Sequence, residues 1–217
     1  MKVGTDAVLL GAWANVSHAN RILDIGTGSG VVALMLAQRS SNLICIDAVE
    51  IEKEDAIQAR ENIVHSPWSD RISVHEIPIQ KFSSELKYDL IVSNPPYFNN
   101  SFQPPDKKRL HTRHTISLDF TELLSSVARL LQPGGRFNVI LPFVEGLEFI
   151  QLAKKQKLFC SRQWSFRPRK EKMIERWLLE FQFDPTKTEE GEVIHYKETE
   201  DWTEEYKALT KDFYLKL

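Results

Sequence analysis

Three stretches of this chain carry residues whose types and spacing could do chemistry: DIGTGSG from Asp24 to Gly30, the acid Glu50, and NPPY from Asn94 to Tyr97. Glycines at 26, 28 and 30 let a backbone turn sharply and let a ligand approach without a Cβ in the way. Glu50 lies twenty residues beyond Gly30, placed to accept hydrogen bonds from a ribose diol. In the dinucleotide fingerprint G-x-G-x-x-G a helix N-terminus meets a pyrophosphate. Here the spacing is G-x-G-x-G, so the third glycine comes one residue early. S-adenosylmethionine carries no phosphate; it needs a loop for its amino-acid part and a carboxylate for its ribose. The spacing favours that cofactor over a nicotinamide dinucleotide, with Asp24, Gly26, Gly28, Gly30 and Glu50 around it. A tight turn with no ligand is the plainer alternative. Asp47 is a rival acid, but it sits three residues earlier and belongs within the sheet.

NPPY ends the apolar run YDLIVS. Pro95 and Pro96 fix φ and donate no hydrogen bond, so they make a rigid corner with main-chain carbonyls turned outward. Asn94 adds a side-chain carbonyl, and Tyr97 a flat apolar surface. An NH2 group on a π system is a poor nucleophile because its lone pair is delocalised. Two acceptors holding its hydrogens favour the pyramidal form that attacks an electrophilic methyl. Asn94 and the Pro95 carbonyl are the expected acceptors, and Tyr97 stacks on the planar substrate.

The elements that must position these groups follow from the apolar pattern. RILDIG, NLICIDAVE, RISVHEI, YDLIVSN and RFNVILP read as strands, with helices over VVALMLAQR, IEKEDAIQARENI and FTELLSSVARLL. In IEKEDAIQARENI, Ile51, Ala56, Ala59 and Ile63 can share a face; Pro133-Gly134-Gly135 stops the last helix. Alternating strands and helices predict an α/β, doubly wound, mostly parallel sheet. KLFCSRQWSF and MIERWLLEFQF are separated by too short a segment for a parallel crossover, so they predict an antiparallel C-terminal hairpin. Residues 1–184 read as one domain. The acidic tail 185–217 follows, with loop through its polar start and a closing helix that packs Trp202, Tyr206 and Leu209 onto the body.

With 217 residues, 42% hydrophobic, the chain is long enough for a substantial core. No run approaches a membrane span, and the N-terminus lacks the apolar core of a secretory signal. Cys45 and Cys160 read as small buried hydrophobes in a reducing, cytoplasmic compartment. The net charge of −2 hides an asymmetry: 151–176 carries nine Lys or Arg against two Glu, and 184–217 five Lys against ten acids. That predicts a basic face and an acidic tail directed elsewhere.

DIGTGSG with Glu50 and NPPY resembles the Rossmann-like class I S-adenosylmethionine-dependent methyltransferases of amino groups. Together with MKVGTDAVLLGAW, HTRHTISLDFTELL, PRK and LTKDFYL, the pattern resembles the bacterial tRNA(Val) adenine-N6 methyltransferases, which modify the adenine beside the anticodon. The resemblance spans nearly the whole chain. It implies a seven-stranded sheet and places Thr5 and Asp6 near the methionine end of the cofactor; as plain residues these two also suit a helix cap. Family members generally carry a further stretch before MKVGTDAVLLGAW, and Pro78 stands where an acid usually meets the cofactor's adenine. With tRNA as partner, Lys107, Lys108, Arg109 and Arg113 form a basic segment beyond NPPY, and Arg167, Arg169 and Lys170 supply further phosphate contacts. His111 and His114 have no partner spacing for a metal. The competing readings are a protein glutamine-amide methyltransferase, a nicotinamide oxidoreductase and a non-catalytic RNA-binding protein that keeps the fold.

Overall fold

The computed structural model describes residues 4–96 and 119–214. Helix α1 (Thr5–Trp13) leads into β1 (Arg21–Ile25), α2 (Val31–Arg39), β2 (Cys45–Glu50), α3 (Lys53–Val64), β3 (Ile72–Glu76) and β4 (Tyr88–Ser93). After the undescribed stretch come α4 (Phe120–Leu130), β5 (Leu131–Pro142), α5 (Phe143–Lys155), β6 (Phe159–Arg167), β7 (Arg176–Gln182), β8 (Glu189–Ile194) and α6 (Glu204–Thr210). One eight-stranded sheet runs β3-β2-β1-β4-β5-β7-β6-β8. Its order reverses between β1 and β4, the place where open α/β sheets bind ligands. Among the described strands only β7 runs against its neighbours: it is antiparallel to β5 and β6, while β8 is parallel to β6.

Strand β8 is one more than the resemblance implies, and it occupies the polar stretch expected as loop. Its sequence EEGEVI has one buried residue, Val193, so burial gave almost no signal. Backbone pairing to β6 over six register positions holds it, with ion pairs alongside. Arg162 reaches Glu189 at 3.9 Å, and Arg167 reaches Glu192 at 2.7 Å. The acidic segment therefore does not point away from the basic one; it lies against it.

Period-two alternation splits the core between the faces of the sheet. Leu23, Ile25, Ile91, Val139 and Leu141 pack with Phe149 on one side. Ile22, Ile46, Leu90, Val92 and Ile140 pack with Leu9, Leu10 and Leu36 on the other. Each such side chain, fully buried, contributes about 1.5–3 kcal/mol. In α4, Leu123, Leu124, Val127 and Leu130 form the buried stripe, and Asp119 caps the helix by accepting from the Thr121 amide at 3.0 Å. Ala56, Ala59 and Ile63 are the buried face of α3; Ile51 falls before the helix and is 46% exposed, so it does not share that face. Cys45, expected inside, is exposed at the start of β2, while Cys160 is half-buried and burial pushes its thiol up to about 12. Trp202, Tyr206 and Leu209 pack onto the body as the periodicity predicts.

Candidate active site

The glycine loop leaves β1 at the switch point. Gly26 has φ +71 with open space where a Cβ would stand, so its backbone is both left-handed and accessible. Gly30, at φ +81, caps α2; a Cβ there would meet Ala59 at 3.4 Å, an ordinary contact, so it is the left-handed backbone that asks for glycine. The loop is pinned on three sides. The amides of Gly26 and Thr27 donate to the Val49 carbonyl at 2.9 and 3.1 Å. Asn62 donates to the Ser29 carbonyl at 2.8 Å. Glu50 is buried, and its carboxylate accepts from the amides of Gly28 at 2.8 Å, Ile51 at 2.8 Å and Glu52 at 3.0 Å. An ionised carboxylate has about four acceptor sites. Three are spent fixing this one in place, which leaves capacity for a hydroxyl.

Asp24 is buried beneath the loop and accepts from the Thr27 hydroxyl at 2.6 Å. Burial pushes its carboxyl up to about 7, with the nearby Glu50 charge adding to the rise.

Strand β4 ends beside this loop. Ile25 and Ser93 are register partners, so the next residues, Gly26 and Asn94, leave neighbouring parallel strands side by side. Such strands are about 4.8 Å apart. The Ser93 hydroxyl, fully buried, donates to the Ile25 carbonyl at 2.9 Å and ties the two strand ends together. Asn94 is half-buried, Pro95 buried and Pro96 exposed, with no cis peptide among the described residues. Tyr97 lies outside them, as do Lys107, Lys108, Arg109 and Arg113. Ser93 was missed from sequence. Its one signal was a hydroxyl closing an otherwise apolar run.

Thr5 and Asp6 do not cap α1. Gly4 holds the cap position in extended conformation, with no side-chain bond. Asp6 instead accepts from Arg176 Nε at 2.8 Å, which fastens the start of α1 to the start of β7. Asp47, the rival acid, is spent elsewhere. Arg21, His75 and Tyr88 reach it at 3.2, 2.7 and 2.8 Å. Burial drives the Tyr88 hydroxyl up to about 12. This group lines a cavity of about 480 Å³ below the loop that precedes β4.

Arg167, Arg169 and Lys170 belong to the β6–β7 turn and its edge. Register carries that turn to the site's side of the sheet: Ser93 pairs with Val139, and Pro142 with Arg176. Two of the three cations are already occupied. Arg167 donates to Glu192 and to the Lys172 carbonyl at 2.6 Å. Arg169 donates to Glu200 and the Lys197 carbonyl, both at 3.1 Å, and lies over the Tyr196 ring. Lys170 is exposed, with no ion pair among the described residues.

A family model described as the methyltransferase small domain matches residues 3–152. A protein of Parabacteroides distasonis, named tRNA1(Val) (adenine(37)-N6)-methyltransferase, is 42% identical over 100% of this chain and 92% of its own. Proteins of the same name from Trichodesmium erythraeum and Phocaeicola vulgatus are 45% and 46% identical over 100% of this chain and 92% of theirs. Among solved structures, a predicted O-methyltransferase from Agrobacterium tumefaciens superposes with a TM-score of 0.73 at 19% identity, covering 95% of this chain and 96% of that one. The glycopeptide N-methyltransferase MtfA complexed with S-adenosylmethionine superposes at 0.61 and 13% identity, covering 83% and 94%.

Proposed function

This chain belongs to the methyltransferase small-domain family, and from that premise we infer that it transfers a methyl group from S-adenosylmethionine to the N6 amino group of an adenine in tRNA, the adenine beside the anticodon of tRNA(Val). Relatives at 42–46% identity along the whole chain carry that activity in their name. The observation that supports the chemistry is the adjacency of Gly26 and Asn94 on strands joined by the Ser93 bond.

The residues present fit the cofactor: the space above Gly26 is open, and Glu50 is a fixed, buried acceptor one strand away. When bound, S-adenosylmethionine would supply an electrophilic methyl, with the sulfur as leaving group taking the electron pair. Glu50 holds the ribose diol, and the loop from Asp24 to Gly30 takes the amino-acid part. Thr5 and Asp6 close the methionine end, with Asp6 steadied by Arg176. Asn94 Oδ1 and the Pro95 carbonyl accept the two N6 hydrogens and turn the nitrogen lone pair toward the methyl. Pro95 and Pro96 keep that corner rigid, and Tyr97 supports the adenine ring. Nitrogen gains one bond to carbon and loses one proton to water, so no side chain needs to act as a strong base.

The adenine must leave its stack to reach this crevice. Lys107, Lys108, Arg109, Arg113 and Lys170 are our assigned phosphate contacts. Arg167 and Arg169 join them while keeping their carboxylate partners. Residues 1–184 form the methyltransferase domain and 185–217 its acidic extension, and the protein works in the cytoplasm, where tRNA is met. Incubation with labelled cofactor and unmodified total tRNA, followed by nucleoside mass spectrometry, should reveal N6-methyladenosine in tRNA(Val). Label in protein glutamine, or in no RNA, would overturn the assignment.

A further inference from the structure

We propose that the recess under the β6–β7 turn seats a nucleobase neighbouring the target adenine; the site deepens the tRNA reading above and rests on it. The recess has a volume of about 440 Å³ and is lined, mainly with apolar surface, by Pro168, Arg169, Lys172, Met173 and Glu175. Met173 is 79% exposed in the middle of the charged run RPRKEKMIER. A lone exposed apolar residue is unremarkable on a surface. One that walls a concavity beside a reaction site has a flat apolar partner to gain.

The turn is built rather than loose. The Lys172 amide donates to the Arg169 carbonyl at 3.0 Å, and the Glu175 amide to the Phe166 carbonyl at 2.9 Å. Arg167 clamps the Lys172 carbonyl from the other side. The Arg169 guanidinium, braced by Glu200, is a planar cation of the kind on which bases stack. Its location fits as well. The Phe143 amide donates to the Glu175 carbonyl at 3.2 Å, which holds the turn at the end of β5, the strand next to β4. From Ser93 to Arg176 is two strand spacings across and three residues along, about 14 Å. Neighbouring nucleotides of an unstacked loop cover such a span.

Shape and charge together select the part of the nucleotide that enters. Among the lining groups Glu175 balances the charge of Lys172, and Arg169 is engaged by Glu200, so the mainly apolar recess holds no surplus cation for a phosphate. Lys170 is exposed just outside the lining, without an ion pair among the described residues, and suits a phosphate at the rim. A base inside with its backbone outside satisfies both, and the Glu175 carboxylate can accept from an exocyclic amine.

The test is a double-mutant cycle between protein and RNA. Met173→Ala and wild type are assayed for kcat/KM on a tRNA(Val) anticodon stem–loop, intact or with an abasic site at either neighbour of the target. One abasic site should cost wild type at least about fivefold, the lower end of base stacking. Met173→Ala should cost a similar factor on intact RNA, with no further loss when both changes are combined. Its melting temperature should match wild type, since the side chain is exposed. Abasic neighbours without effect on wild type, or losses that multiply, would overturn the site while leaving the methyltransferase reading intact. No methylation of the intact stem–loop by wild type would overturn both.

Discussion

Replacing Glu50 by Gln removes a charge and one acceptor from a carboxylate that holds three main-chain amides. The amide can keep its oxygen on Ile51 and Glu52 only by turning its NH2 toward the Gly28 N–H, donor against donor. A hydrogen bond to a charged group contributes about 1.5–3 kcal/mol. Free protein should therefore lose about 2 kcal/mol, a drop of about 4–8 °C in Tm for a domain of this size. Binding loses a second such bond, from the ribose diol, and should weaken about 10- to 150-fold. Calorimetric titration with S-adenosylmethionine and with its demethylated product measures this directly, and thermal melts of the free protein separate the structural share. Glu52→Gln, which changes an exposed neighbour, serves as the control. If Glu50→Gln melts early yet binds the cofactor within threefold of wild type, Glu50 is a brace for the loop and not a cofactor ligand.

Asn94→Ala should abolish turnover, by about a hundredfold or more, because it removes an acceptor aimed at the transition state. Cofactor affinity should stay within a few-fold, and near wild-type methylation would sink the amino-cradle assignment. Asp24 favours its protonated form in the fold, with a pKa of about 7 against 3.8 for a free carboxyl. Its contribution to stability is complete below the lower value and is lost as pH rises through the upper one. Asp24→Asn should thus flatten urea-unfolding stability between about pH 4 and 7; equal slopes for variant and wild type would refute the shift. Charge reversal at Lys108 and Arg109 should weaken RNA binding and reduce its salt dependence by about two phosphates. An unchanged salt slope in a binding titration would remove both residues from the interface.

Much of the frame was legible because the central strands β1, β2, β4 and β5 wrote apolar runs, and because glycines and prolines punctuate them. RILDIG and YDLIVSN gave the site's two walls, and their pairing followed from the parallel topology. Strand β8 was not legible, since backbone pairing and arginine–carboxylate contacts hold it in place of apolar burial. The same physics hid the fate of Arg167 and Arg169: a count of charges along the chain gives sign, but not which opposite charge folds back upon it. Thr5 and Asp6 suited a cap by type, yet Gly4 took that position and Arg176 claimed the acid from 170 residues away. Long-range pairing of that kind has no local pattern to read.

The hydroxyl of Ser93, fixed to the Ile25 carbonyl, makes donor shelf and acceptor shelf parts of one stiff plank. Neither can slide relative to the other without tearing a bond in the middle of the sheet. The gap between methyl and amine is thus a property of the scaffold, and the work of fitting falls to the visiting RNA. Selectivity of this kind screens nucleic acids by the ease with which they bend, so that a stiffened anticodon loop should be a poor substrate even when every base is correct.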